Sequence, residues 1–424
     1  MGVELVVEAG ELERDSPLVM AHVAPEMLAR AGVGGALGTG PVGDEIEGGA
    51  CLLREVDGAG EPVEVVAQYD PAARTLAFVV PGRLAPGSRR RFRIQAGPLR
   101  NVAAYPVRLL QKLDRVVIHV GGEPFAIYNV LGARRPYFWP VLGPAGASVV
   151  RGQGTGEHPH HTGMGLNYGG HSEGGSTNIW SDWDEPPYGP GGRMLHRGFR
   201  RLASGPVYGE LVEDLTYVNA YGDPIIDEVR TIRCWWASPS ARFFDFTFHV
   251  LRADDRGPQP FLFMIRLAGS FDIPNTGRIT NAAGYPVPAP EGMERYFRAA
   301  WIDASGPTGE PPPAPPAAPP ETLVDLPGAP RRRAGPGSGP WNGIALFDYP
   351  ENDQFPGLIG KYAGMRGAVQ ITQVHYPPPH ALHGPFTFRH RVYVHDGGAA
   401  AGSVAARAAD YAQPCTVAVR ETED

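Results

Sequence analysis

Cysteine is scarce: three residues in a chain of 424, Cys51, Cys234 and Cys415, far apart and with no C-x-x-C pair. That spacing excludes a disulfide framework and a cysteine zinc site, and predicts that each is a small buried hydrophobe. Long apolar runs are missing too, and none approaches the ~18 residues that a membrane span needs. The opening MGVELVVEAGELERDSP carries acids where a secretory leader carries lysine or arginine, so a cytosolic protein is expected. Positive charge is in deficit. A net charge of -7 argues against a nucleic-acid partner, because phosphate neutralisation needs a basic face. Two basic runs, Arg89 to Arg93 and Arg331 to Arg333, are expected to be solvated surface.

What is present is the grammar of strands. The length favours two domains or one large all-β unit with an appendage. VEVVAQYDPAARTLAFVVPGRLAPGSRRRFRIQAG offers three β-rich runs with turn chemistry at Asp70-Pro71 and Pro86-Gly87, which predicts a small β-sandwich-like domain over residues 1–98. From Asn101 the alternation resumes in RVVIHVGG, EPFAIYNV, RPYFWPVLGP, VYGELVEDLTYVN, DEVRTIRCWWAS, RFFDFTFHVLRA, PFLFMIRLAG, NGIALFDYP, AVQITQVHY and FTFRHRVYVHD. So many strands predict an all-β fold, a large two-sheet β-sandwich over residues 101–424. In GSVAARAADYAQP, Val404, Ala405, Ala408 and Tyr411 fall at helical spacing before a proline, predicting a short C-terminal helix. The proline-rich stretch from about 305 to 340 cannot bury enough apolar surface to order itself, and on composition reads as a linker.

One segment concentrates chemistry. RGQGTGEHPHHTGMGLNYGGHSEGGSTNIWSDWDEPP holds four of the 13 histidines beside two tryptophans. Gly152, Gly154 and Gly156 invite a nucleotide loop, but Pro159 and further glycines leave no helix for the phosphate to meet. In an extended backbone His158 and His160 face one side and His161 the other, so a metal takes two of them at most. A divalent ion would then need His171, or a more distant ligand such as His196, His375, His380, His383, Glu157, Asp182 or Asp184. Metal-free acid/base work is the second reading, because imidazole accepts and donates protons near neutrality. Bracing of loop backbone is the third. Asp182 and Asp184 are placed to orient an imidazole or a sugar hydroxyl, or to cap a turn. Trp180 and Trp183, with Tyr168 and Tyr188, supply the flat apolar faces that line pockets for polyhydroxylated ligands. Lys361, Tyr362 and Arg366, in GLIGKYAGMRG, add polar groups for a carboxylate or a ketone oxygen.

The order PYFWPVLGP, GEHPHHTG, IWSDWD, GRMLHRGF, WNGIALFDYP and FRHRVYVHDG resembles the bacterial DUF6807 family, from about Val117 to Gly398. Members are commonly labelled methane oxygenase or "PmoA-like", a label that sits badly on a chain without a spanning segment. The resemblance implies a sandwich akin to the sugar mutarotase and polysaccharide lyase supersandwich, and carbohydrate or oxidised-carbohydrate substrates. It implies no particular reaction. The family's histidine motif falls on His158, His160 and His161, and the histidine before its Arg-Gly-Phe falls on His196. Two departures stand out: Asn178, Ile179 and Trp180 replace an Asp-Phe-Trp, and Leu358, Ile359, Lys361 and Tyr362 replace a Trp-His-x-Arg-x-Tyr type segment. The resemblance also implies that the proline-rich stretch is an insertion within one domain. The expectation is an enzyme of lyase, hydrolase or isomerase type acting on a sugar or glycoside. His158, His160, His161 and Asp182 would do the chemistry, with His196, Trp180, Trp183, Lys361, Tyr362 and Arg366 on the substrate. The alternatives are a metal-dependent enzyme using His158, His160 and His171, and a carbohydrate-binding protein without catalysis.

Overall fold

The computed structural model describes residues 2–34, 49–56, 63–98, 106–154, 160–169, 177–182, 190–253, 260–272, 275–284, 296–308, 340–363, 369–375 and 385–422. It is a mostly β protein with three large sheets and two small two-stranded ones among the described residues. The larger part is a sandwich of a nine-stranded and an eight-stranded sheet, as the alternating sequence predicts. The nine-stranded sheet runs Val107–Gln111, Arg115–Val120, Glu123–Asn129, Tyr137–Val141, Met164–Tyr168, Phe261–Arg266, Val369–His375, Leu358–Ala363 and Tyr296–Arg298. The eight-stranded sheet runs Arg193–Ala203, Tyr208–Val218, Pro224–Ser238, Ala241–Ala253, Phe386–Asp396, Trp341–Asp348, Trp301–Pro307 and Arg278–Asn281.

Period-2 patterning builds the layer between them. In Pro224–Ser238, Ile226, Glu228, Arg230, Ile232 and Cys234 are buried in every second position. Rings of the two sheets interlock: Phe125 stacks on Phe244 at 4.5 Å and Phe246 meets Phe263 edge-on at 4.9 Å. Each such side chain contributes about 1.5–3 kcal/mol by leaving water.

The third sheet has seven strands in the order Thr416–Thr422, Gly2–Glu8, Arg89–Ile94, Gly49–Glu55, Glu64–Asp70, Thr75–Val79 and Leu18–His22. Its strand Thr416–Thr422 comes from the expected 101–424 part and the others from residues 1–98. The last strand of the chain pairs with the first, Leu5 opposite Val419, because an N-terminal edge strand leaves backbone donors that the returning C-terminus satisfies. The helix Val404–Ala412 turns Val404, Ala408 and Tyr411 inward, whereas Ala405 is exposed. With Ala77, Trp235, Phe243 and Tyr393 these residues form a core between the small sheet and the eight-stranded one. Gln68 Oε1 accepts from Val207 and Tyr208 N, both at 3.0 Å, and Arg201 meets Asp70 at 2.7 Å across the same junction.

A six-residue helix, Pro25–Arg30, was not foreshadowed by any periodic pattern. The basic run near Arg90 is paired as well as solvated: Arg90 meets Glu55 at 2.5 Å, and Arg91 meets Glu4 at 3.4 Å. Cys51 and Cys234 are buried and Cys415 is half-buried. Ser305 to Pro307 belong to a strand that pairs with Trp341–Asp348, Pro307 opposite Trp341; the proline-rich residues 309–339 and Arg331 to Arg333 lie outside the described residues. Among the described residues no helix is long and apolar enough to cross a membrane.

Candidate functional site

Buried polar side chains form several groups among the described residues of the sandwich, the pair of His395 and Asp303 at 2.8 Å being one, and three larger ones bear on chemistry. The first forms where two loops cover the outer face of the nine-stranded sheet. Met164, Leu166 and Tyr168 point into the core, which turns Gly165 and Asn167 outward. Asn167 Nδ2 donates to the carbonyls of Ile179 and Trp180 at 3.2 and 3.1 Å, pinning residues 177–182 to that face. Asp182 N then donates to His160 O at 2.9 Å, so the two loops are stitched together. A Cβ on Gly165 would lie 2.6 Å from Arg135 Nη1; glycine makes room for the guanidinium.

Here the structure gathers His160, His161, Trp180 and Asp182. Both imidazoles are buried, their ring centroids 4.2 Å apart, and His161 meets Trp180 edge-on at 4.7 Å. The expected alternation of His160 and His161 to opposite sides is thereby corrected. His160 lies in a turn and the backbone that follows is not a strand, so neighbouring side chains converge. Arg135, fully buried, places Nε 3.8 Å from Asp182 Oδ1 and donates from Nη2 to Thr162 O at 2.8 Å. Burial raises the Asp182 carboxyl above the usual carboxylate range; Arg135, Thr162 and Arg134 pull it down without offsetting that cost. Burial likewise lowers Arg135 despite Asp182. The two shifts agree that at 3.8 Å the pair regains less than desolvation takes.

The second group lies inside the sandwich. His196 Nδ1 is 2.7 Å from Glu213 Oε2. Glu213, fully buried in the inward row with Leu211 and Leu215, also accepts from the Tyr128 hydroxyl. Arg230 donates to Tyr128 Oη at 3.3 Å and to both oxygens of Glu228 at 2.8 and 3.0 Å, and Glu228 accepts from Tyr217. Burial opposes the Arg230 charge, but Glu228, Tyr128, Tyr217 and Glu213 outweigh it and hold the guanidinium well above its ordinary range. A carboxylate on Nδ1 fixes one imidazole tautomer and leaves Nε2 as the acceptor, on a side chain that is 16% exposed. His196 therefore takes its partner from the interior. Glu213 was not foreseen, although a glutamate in an inward row of VYGELVEDLTYVN is a readable signal.

The third group is Asp348, His375 and His390, whose candidate ligand atoms lie within 4.8 Å of one another. Among the described residues it is the group with metal-compatible spacing, and it contains neither His160 nor Asp182. His158, His171, His380, His383, Glu157, Trp183, Asp184, Tyr188 and Arg366 lie outside the described residues. Lys361 and Tyr362 sit on Leu358–Ala363, with Lys361 opposite Ile371 and Tyr362 opposite Gln370. A groove of about 290 Å³, lined by Val63, Val66, Pro206 and Trp236 among others, opens at the junction with the small sheet and holds none of these imidazoles.

Against known proteins, a model of the family of unknown function DUF6807 matches residues 115–409, more than half of the chain. The chain belongs to that family, as its motif order suggests. Among curated proteins no relative matches. Among solved structures, a glycosyl hydrolase family 38 protein from Enterococcus faecalis is similar with a TM-score of 0.40 at 9% identity, covering 100% of this chain and 48% of that one. An alpha-mannosidase from Enterococcus faecalis V583 gives 0.42 at 9% identity, covering 100% and 46%. The chain thus spans about half the length of the solved chains it matches.

Proposed function

We propose, taking membership of this family as the premise, that the protein is a carbohydrate-active enzyme that works by histidine-mediated proton transfer. The substrate is a sugar or glycoside, including oxidised keto forms, and the reaction is of lyase, hydrolase or isomerase type. The observation that carries the reading is the convergence of His160 and His161 with Trp180, Asp182 and Arg135 on two loops laid over one sheet face. Each component suits such a ligand. Tryptophan offers an apolar plane to sugar C–H groups, and imidazole transfers protons near neutrality.

In this reading one imidazole takes the proton from a carbon beside a carbonyl, or gives one to a glycosidic oxygen, and its neighbour handles the second transfer. Asp182 and Arg135 hold the loop backbone that presents them. His196 is a further acid/base candidate, its tautomer set by Glu213. The test is incubation of the chain with a panel of glycosides and their 3-keto derivatives, followed by mass spectrometry. Conversion that disappears in His160→Ala and His161→Ala supports the proposal. Conversion that survives both, or binding of a panel sugar by calorimetry without any change in it, overturns it.

A further inference from the structure

We propose that Asp348, His375 and His390 form a binding site for one divalent first-row transition ion, with zinc as the reference case, inside the sandwich. This does not rest on the carbohydrate reading. The topology assembles the site: Asp348 and His390 are register partners on adjacent strands of one sheet, and His375 ends a strand of the other. His375 Nε2 faces His390 Nε2 at 2.8 Å, and Asp348 Oδ1 is 3.9 Å from His390 Nδ1. All three are buried. Two imidazoles and one carboxylate are a common protein share of such a site, leaving further positions open.

Charge supplies the second argument. Among the described residues the ion pairs of Asp348 involve only His390. A buried carboxylate beside two buried imidazoles, with no lysine or arginine among its ion pairs in the described residues, is a place where a divalent cation would supply the balancing charge.

The surroundings fit as well. Asn352 Nδ2 and Tyr349 N donate to Asp348 Oδ1 at 2.7 and 3.0 Å, and Gly357 N donates to Oδ2 at 2.7 Å, orienting the carboxylate as outer partners orient ligands. Gln373, wholly buried and two residues before His375, has a carbonyl oxygen without a hydrogen-bond donor among the described residues. Phe388 stacks on His375 at 4.7 Å and Phe263 lies 5.4 Å from His390, so the shell is apolar. Nitrogens bound at ~2.1 Å around a tetrahedral ion sit about 3.4 Å apart. The two rings would part by roughly half an ångström to admit it.

The experiment uses the full chain without an affinity tag, stripped with a chelator and reloaded with Zn2+ or Co2+. About one ion per chain, a melting temperature that rises with Zn2+, and a visible Co2+ spectrum are expected for the wild type and for His160→Ala. His375→Gln and His390→Gln should each hold less than about a tenth of that. A wild type that takes up neither ion, or variants that keep the full stoichiometry, overturns the site and leaves Asp348 as the cap of its own turn. Where the variants do not fold, electron paramagnetic resonance of the Cu2+-loaded wild type decides: coupling to two nitrogens supports the site and its absence refutes it. Sugar conversion does not enter these readouts, so the two proposals fail separately.

Discussion

Among the described residues imidazole rings meet in two places, and the two are built oppositely. On the outer face of the nine-stranded sheet, His160 and His161 are neighbours in sequence and sit with a carboxylate and the Arg135 guanidinium in a wall made by loops. Inside the sandwich, His375 and His390 come from different sheets and face a carboxylate with no arginine among its ion pairs in the described residues. The first cluster sets a guanidinium beside its carboxylate; in the second, among the described residues, the carboxylate's ion pair is with an imidazole. Neighbouring imidazoles presented by loops suit proton transfer to a bound substrate, whereas a buried carboxylate and two imidazoles drawn from facing sheets suit an ion.

Mutations sharpen that contrast. The largest effect is expected on turnover. His160→Ala or His161→Ala should lower conversion of any panel sugar by about 10²–10⁴-fold with little change in melting temperature, measured by steady-state kinetics and thermal unfolding. Next comes Arg135→Ala, which strands Asp182 as a buried anion and should cost about 3–5 kcal/mol in urea unfolding. A cost near zero would mean that the outer cluster is not charge-balanced at all. In the interior, Asn352→Ala removes the 2.7 Å bond to Asp348 and two bonds to the Arg389 backbone, at about 1–3 kcal/mol by the same measurement. It should also weaken retention of Zn2+, which the outer variants leave alone.

The smallest effect is a pH dependence at the outer cluster. Asp182 is raised in the folded chain, so its favourable share of stability is present below the ordinary aspartate range and is lost as pH rises through the raised value. Urea midpoints of the wild type should therefore decline relative to Asp182→Asn as pH rises from about 4 to 7. Parallel curves for the two proteins would remove Asp182 as a titrating member of the cluster.

The outer cluster was partly legible in the chain because its members are close in sequence. HPHH and IWSDWD sit within one loop segment, and local density of imidazole, indole and carboxylate needs no fold to be noticed. The orientation of His160 and His161 was misjudged, since a period-2 argument holds only where the backbone is a strand. Glu213 and the Asp348, His375 and His390 group were harder. Each lies in a strand whose alternating pattern reads as core, and only pairing decides which polar residue in an inward row meets which other.

By itself the sequence determined the strand-rich class, the late helix and the family, because period and motif order are local properties of the chain. Tertiary structure alone decided that residues 416–422 complete the seven-stranded sheet, that His196 leans on Glu213, and that Asp348 and His390 stand in register opposite His375. These are contacts between residues tens to hundreds of positions apart. Their partners are chosen by sheet register and by the facing of two layers, which hydrophobic alternation permits in many ways and close packing of the whole core reduces to one.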